Sequence, residues 1–232
     1  MRRLVWVWAL VVAAGLGVAR AENSQSMNCG SNDGPLTTHD YERGSGDVVE
    51  GNRMEILRPF AENGRMEVQV CDADVRVHRS REGKEVHLTV ELGSGGGGHS
   101  MADFIHTLRI APDHGVIRLK FPKEVHATVT LSLPMAEGSR SEISLGRGDL
   151  DLNAIGSAGR REINVGMGHM RLHVDGDKSY SSMEVNVGMG SLHDYRPGGE
   201  NGHFVVSKEY RGAGAGSIEV NVGMGSLEIR ND

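Results

Sequence analysis

The sequence predicts an all-β fold: a β-solenoid or β-helix-like stack of short two-strand rungs, preceded by an irregular N-terminal β region. Three observations predict it. Apolar and polar residues alternate in short runs, as in Val68-Gln69-Val70 and Val86-His87-Leu88-Thr89-Val90, which is the period of a strand with one buried face. Helical periodicity is hard to find beyond the first twenty residues. A ten-residue pattern also recurs, as REINVGMGHM from Arg161, MEVNVGMGSL from Met183 and IEVNVGMGSL from Ile218. Self-similarity of this kind marks stacked architectures.

Residues 1–21 read as a signal peptide. Arg2 and Arg3 precede an apolar run from Leu4 to Val18, and Ala19-Arg20-Ala21 offers a small-x-small cleavage site. The run is short for a membrane span, so no transmembrane segment is expected after cleavage; retention as an N-terminal anchor is the alternative. No cysteine for lipid attachment sits at the cleavage point. Without this segment 22 basic residues face 31 acidic ones, a net charge of −9. That balance excludes non-specific binding to nucleic acid, which needs a basic footprint. It fits an exported protein, periplasmic or at the cell surface.

Residues 22–63 are polar and patternless, and are expected to be partly disordered. Cys29 and Cys71 are the two cysteines, and in an oxidising compartment an even pair suggests one disulfide; one buried thiol and one loop thiol is the other reading. Residues 64–134 form the irregular β region. There the runs 86–92 and 104–121 suggest strands paired across a flexible GSGGGGHS tip, and ATVTLSLP (127–134) a buried strand.

Residues 135–232 carry the rungs. Aligned on the residue between two glycines, the copies place Arg147, Met167, Met189 and Met224 at one corner position, 20, 22 and 35 residues apart. An earlier copy, MEVQVCDADVRV, puts Asp72 there with Cys71 and Ala73 in place of glycine. Two residues before the corner stand Val70, Leu145, Val165, Val187 and Val222; three after it stand Val75, Leu150, Met170, Leu192 and Leu227. The apolar parity therefore switches at the corner, and a glycine-flanked bend absorbs the switch at low steric cost. The 35-residue interval implies an insertion, a loop or hairpin near 194–216.

Stacking in register would turn equivalent positions into columns. Glu67, Glu142, Glu162, Glu184 and Glu219 share one position, five before the corner. Gln69, Ser144, Asn164, Asn186 and Asn221 share the next outward one. Parallel strands lie about 4.8 Å apart, and unit charges at that spacing repel by roughly 1 kcal/mol in water. Carboxylates beside amide oxygens are the donors Ca2+ takes, so Glu162, Asn164, Glu184, Asn186, Glu219 and Asn221 form a candidate cation ridge. The competing reading is a stabilising Asn ladder with Arg65, Arg140 and Arg160 as counter-charge. Met167, Met189 and Met224 are either a soft core ladder or half-buried corner, or an apolar strip for a partner. Arg76, Asp151, Arg171, His193 and Glu228 form a further column of mixed charge.

The stretch VTLSLPMAEGSRSEISLGRGDLDL (129–152) resembles the bacterial β-strand-repeat "putative adhesin" family, a domain of unknown function in envelope and exported proteins. The likeness lies in the apolar strand ending in Leu-Pro, the short polar turn, and the strand leading to Gly148-Asp149; it extends over about residues 64–230. It implies a solenoid-like stack, export, and a non-enzymatic role. Gly-Asp appears once only; later rungs carry Gly168-His169, Gly190-Ser191 and Gly225-Ser226.

Other signals fall away on spacing. His169 and His173 would stand about 13 Å apart on a strand and cannot share one zinc. DGDKSYSSME (175–184) lacks the sixth-position glycine of a calcium loop. GAGAGS and GSGGGG lack the Gly-Lys ending of a phosphate loop. Arg147-Gly148-Asp149 is explained by the rung alignment. The enzymatic alternative is carbohydrate cleavage by Asp149, Asp151, Arg171 and His193, in rungs nearly devoid of the aromatics that platform sugars. The reading reached is thus a non-catalytic exported protein presenting a repetitive surface, with a sugar-acting β-helix protein and a self-associating structural protein as alternatives. No cofactor is implied besides the Ca2+ of the ridge.

Overall fold

The core strands form because their apolar residues recur at every second position, and β10, β11, β12 and β14 bend where glycine interrupts that run. The computed structural model describes residues 27, 29, 40–41, 43–81, 83–93, 98–156 and 158–231; the signal peptide expected at 1–21 lies outside them. The strands are β1 (Asp40–Tyr41), β2 (Val48–Glu50), β3 (Arg53–Pro59), β4 (Arg65–Cys71), β5 (Asp74–Arg79), β6 (Glu85–Leu92) and β7 (Ile105–Ile110). They continue with β8 (His114–Lys120), β9 (Ala127–Leu133), β10 (Arg140–Asn153), β11 (Arg160–Val174), β12 (Ser182–Asp194), β13 (Gly202–Arg211) and β14 (Ser217–Asn231). All fourteen belong to one curled, half-barrel sheet. No helix among the described residues is long and apolar enough to cross a membrane.

The all-β expectation holds, and the detail of the rungs is corrected. In four repeats the two expected short strands are one bent strand of 13 to 15 residues that runs through the corner. Of the five aligned copies, the first is broken, into β4 and β5, at Asp72-Ala73. The pairing is parallel and in register: Ile143 lies beside Ile163, Ile163 beside Val220, and Val220 beside Val185.

That pairing corrects the stacking order. β14 lies between β11 and β12, so the order is β10-β11-β14-β12, and β13 returns antiparallel on β12. The last strand, β14, is therefore interior, not an edge. The far edge is β13, inside the segment expected to be a loop or hairpin, and with β12 it forms the hairpin.

At the other end the sheet forks. β10 pairs with β4 through its first half and with β5 through its second. From β4 one arm continues through β8 and β7 to β1; from β5 the other continues through β9, β6 and β3 to β2. β8 and β9 are therefore a sixth copy of the rung, residues 114–133, with a longer corner, FPKEVHA. The hairpin expected between 86–92 and 104–121 is absent, because β6 pairs with β3 and β9 while β7 pairs with β1 and β8. Part of its expected flexible tip, 94–97, lies outside the described residues.

The core is the enclosed face of this sheet. Its columns run Leu119, Val70, Leu145, Val165, Val222, Val187 and Val206, and Val129, Val75, Leu150, Met170, Leu227 and Leu192, all buried. Phe104 and Phe121 fill the forked end, their ring centroids 5.5 Å apart. Each buried aliphatic side chain contributes about 1.5–3 kcal/mol of transfer free energy, and register is specified because a one-residue slip would expose a whole column.

Candidate functional site

The corner is built from glycine because nothing larger fits. Gly148, Gly168, Gly190 and Gly225 have φ between +127° and +153°, a region that L side chains rarely adopt. A Cβ on Gly168 would stand 1.8 Å from the Gly148 carbonyl oxygen, and one on Gly190 1.6 Å from that of Gly225. Backbones thus pack on backbones at the corner, and the residue between the glycines is pushed to the convex side.

That geometry settles where the methionines point. Strict alternation from Val165 would turn Met167 inward, but the bend turns it out. Met167, Met224 and Met189 are 39%, 38% and 53% exposed, so the core-ladder reading is corrected. In register the corner column runs Arg147, Met167, Met224, Met189, with Asp72 3.5 Å from Arg147. Beyond Met189 the β12–β13 register shifts between Val187 and Gly190, which brings Val205 and Phe204 alongside. These two are 71% and 72% exposed. Five exposed apolar side chains are therefore contiguous, and the sequence alignment missed the last two because they lie in the insertion.

Cys29 and Cys71 are joined by a disulfide. It sits against Gly146, where a Cβ would meet the Cys29 side chain. The Met27 backbone N–H donates to Gln69 Oε1 (2.8 Å), and Gln69 Nε2 donates back to the Met27 carbonyl. Gln69, placed by the sequence in the amide column, thus holds the segment before the sheet. Closing a 42-residue separation is worth about 4 kcal/mol on the chain-entropy account.

The structure brings all six candidate ridge residues together. The carboxylate column runs Glu67, Glu142, Glu162, Glu219, Glu184, and ends on Glu209 of β13. Asn221 Nδ2 donates to Asn164 Oδ1 (3.1 Å) and to Glu219 Oε1 (3.4 Å); Asn186 Nδ2 donates to Asn221 Oδ1 and Glu184 Oε1 (both 3.1 Å). Arg118 Nη2 stands 2.7 Å from Glu67, and Arg211 pairs with Glu209. Glu142 has no such ion pair among the described residues: burial, then Glu162 and Glu67, push its carboxyl above the usual glutamate value. The ridge is thus an amide ladder that donates hydrogen bonds to Glu184 and Glu219. Among the described residues, no group of three His, Cys, Asp or Glu side chains converges to hold a metal ion.

The stacking order also resolves the mixed-charge column. It runs Arg76, Asp151, Arg171, Glu228, His193, so acid and base alternate throughout. Arg171 lies 4.0 Å from both Asp151 and Glu228, and His173 Nε2 lies 3.4 Å from Asp151. His169 joins Ser226 and Glu228. Of the four residues considered for sugar cleavage, Asp151 and Arg171 are held in this ladder. His193 stacks on Tyr195, and the Asp149 backbone N–H bonds to Asp74.

One polar cluster gave no sequence signal. Asp194 occupies the core column of Val77, Leu152, Leu172 and Ile229 and is buried. Arg196 neutralises it with two bonds, Nε to Oδ1 (2.8 Å) and Nη2 to Oδ2 (2.7 Å), donates Nη1 to Tyr180 Oη (2.7 Å), and lies 4.5 Å over the Tyr210 ring. Burial alone would raise the Asp194 carboxyl; the guanidinium overrides it and holds it below the usual aspartate value. Burial and then Asp194 push the Tyr210 hydroxyl up to about 12. This cluster closes the core beneath the hairpin.

No family model and no curated protein matches the chain. Solved structures do. A putative cell adhesion protein from Clostridium sporogenes is 15% identical, with 78% of this chain and 100% of that one covered at a TM-score of 0.39. A putative adhesin from Parabacteroides merdae is 11% identical, covering 78% and 82% at a TM-score of 0.31. A putative lipid binding protein from Parabacteroides distasonis is 9% identical, covering 78% and 98% at 0.25.

Proposed function

We propose that this chain is a non-catalytic, adhesin-like β-repeat protein, exported to the bacterial cell envelope, whose solenoid-like stack presents a rigid surface for binding. The observation that carries the reading is the convex corner, where Met167, Met224, Met189, Val205 and Phe204 are exposed on neighbouring strands. Contiguous exposed apolar area of this kind marks an interaction site, and the backbone contacts beneath it fix its shape. The two buried charged groups described above, Asp194 and Arg196, are tied to each other, and acid and base alternate along the mixed-charge column. The disulfide suits an oxidising compartment. The adhesin description shared by two of the structural neighbours accords with this role.

The test is capture from the envelope fraction by residues 22–232, compared with a Phe204→Asp/Val205→Lys variant. The expected result is a partner retained at high salt by the parent chain and lost by the variant. Equal capture by both removes the corner as the binding surface. Retention on glycans in place of protein, again lost by the variant, would replace the protein partner with a polysaccharide.

A further inference from the structure

The corner methionines carry a second property besides apolar area. In three of the four glycine-flanked repeats the exposed position is methionine, and in the fourth it is Arg147; Leu, Val or Ile would give equal apolar surface in those three. In the same three repeats the outward position two residues further on is not constant, being His169, Ser226 and Ser191. What methionine alone supplies is a thioether. The stacking order sets Met224 in the middle, with Met167 on one neighbouring strand and Met189 on the other. Their backbones are about 4.8 Å apart, and each side chain has three rotatable bonds with which to converge. The flanking residues are glycines, so no neighbouring side chain on the same strand screens the sulfurs.

We propose that Met167, Met224 and Met189 form a soft-metal site that takes a monovalent cation, Cu(I) or Ag(I), through three thioether sulfurs. Thioethers select Cu(I) over the hard divalent cations that carboxylates prefer. The nearest cationic side chain in the column, Arg147, is partnered by Asp72. The net charge of −9 left on residues 22–232 favours a cation's approach. The inference shares three residues with the binding surface above but rests on sulfur, not on area.

The test uses residues 22–232 with the disulfide intact, in chloride-free buffer without reductant, titrated with Ag(I) and followed through 13C-labelled methionine methyl groups. The expected result is that the methyls of Met167, Met189 and Met224 shift together and saturate at one equivalent. A Met167→Leu/Met189→Leu/Met224→Leu variant keeps the apolar area and every histidine. It is expected to bind at least about tenfold more weakly, since loss of outer-shell support alone costs 10–100-fold. Equal Ag(I) affinity in that variant, or shifts at other methionines only, overturns the site. The same variant retains envelope capture if the apolar surface alone does the binding, so the two readings fail separately.

Discussion

Substituting Gly168 by alanine tests the corner directly. Two costs add. The residue's φ of +147° is accessible to glycine but costs other residues about 1–3 kcal/mol. The new Cβ would also lie 1.8 Å from the Gly148 oxygen, so the two strands must part by more than an ångström. That displacement exceeds the slack of a ladder hydrogen bond and sacrifices about two of them at roughly 1 kcal/mol each. Together the loss is about 4 kcal/mol, a large part of the stability of a domain. Gly166→Ala meets the Gly146 oxygen at 2.6 Å without a positive φ and should cost about half as much. Met167→Ala, on the same corner, should change stability by less than about 0.5 kcal/mol. Urea unfolding followed by circular dichroism reads all three as shifts in midpoint at constant slope. A Gly168→Ala protein within 1 kcal/mol of the parent would refute the backbone-on-backbone account.

Two other predictions concern buried or crowded charge. Arg196→Ala strands the buried Asp194 carboxylate and should cost about 3–5 kcal/mol, whereas Asp194→Leu/Arg196→Leu, which continues the column of Leu152, Leu172 and Ile229, should cost much less; thermal melts of the single and double variants decide. Because the Asp194 carboxyl is held low in the folded state, the contribution of the pair is present above the ordinary aspartate value and lost as pH falls through the lowered one. Glu142 has the opposite sign: its carboxyl is raised, so its charge opposes folding at neutral pH and the penalty disappears on acidification. Glu142→Gln should therefore stabilise by up to about 1 kcal/mol at pH 7, with the advantage fading as pH falls through the raised value, measured by urea midpoints from pH 7 to 4.

The columns were legible in the sequence because a parallel, in-register stack repeats one side-chain environment at each level. Val165, Val187 and Val222 can be aligned by eye, and they do lie side by side. The order of levels was not stated by any one repeat. It was written in the relation between repeats: in chain order His193 would follow Arg171, base on base, while Glu228 between them restores alternation. The sixth copy, 114–133, escaped because its corner is FPKEVHA and has no glycine to mark it. The Asp194–Arg196 pair escaped because a charged residue in a core column reads as an end of the pattern, and its partner comes from the loop beyond. Phe204 and Val205 were hidden for a related reason: an antiparallel return strand obeys no repeat register.

The interleaving of β14 has a consequence for assembly. The hairpin at 182–211 leaves the ribosome before the strand that must lie beneath it, so its lower edge waits without its final neighbour. It can hover unpaired or dock provisionally on β11 and later be displaced. Either course makes closure of the stack a late, long-range event, the kind that slows folding and exposes strand edges to other chains. Deleting residues 217–231 would leave two half-stacks with no shared boundary.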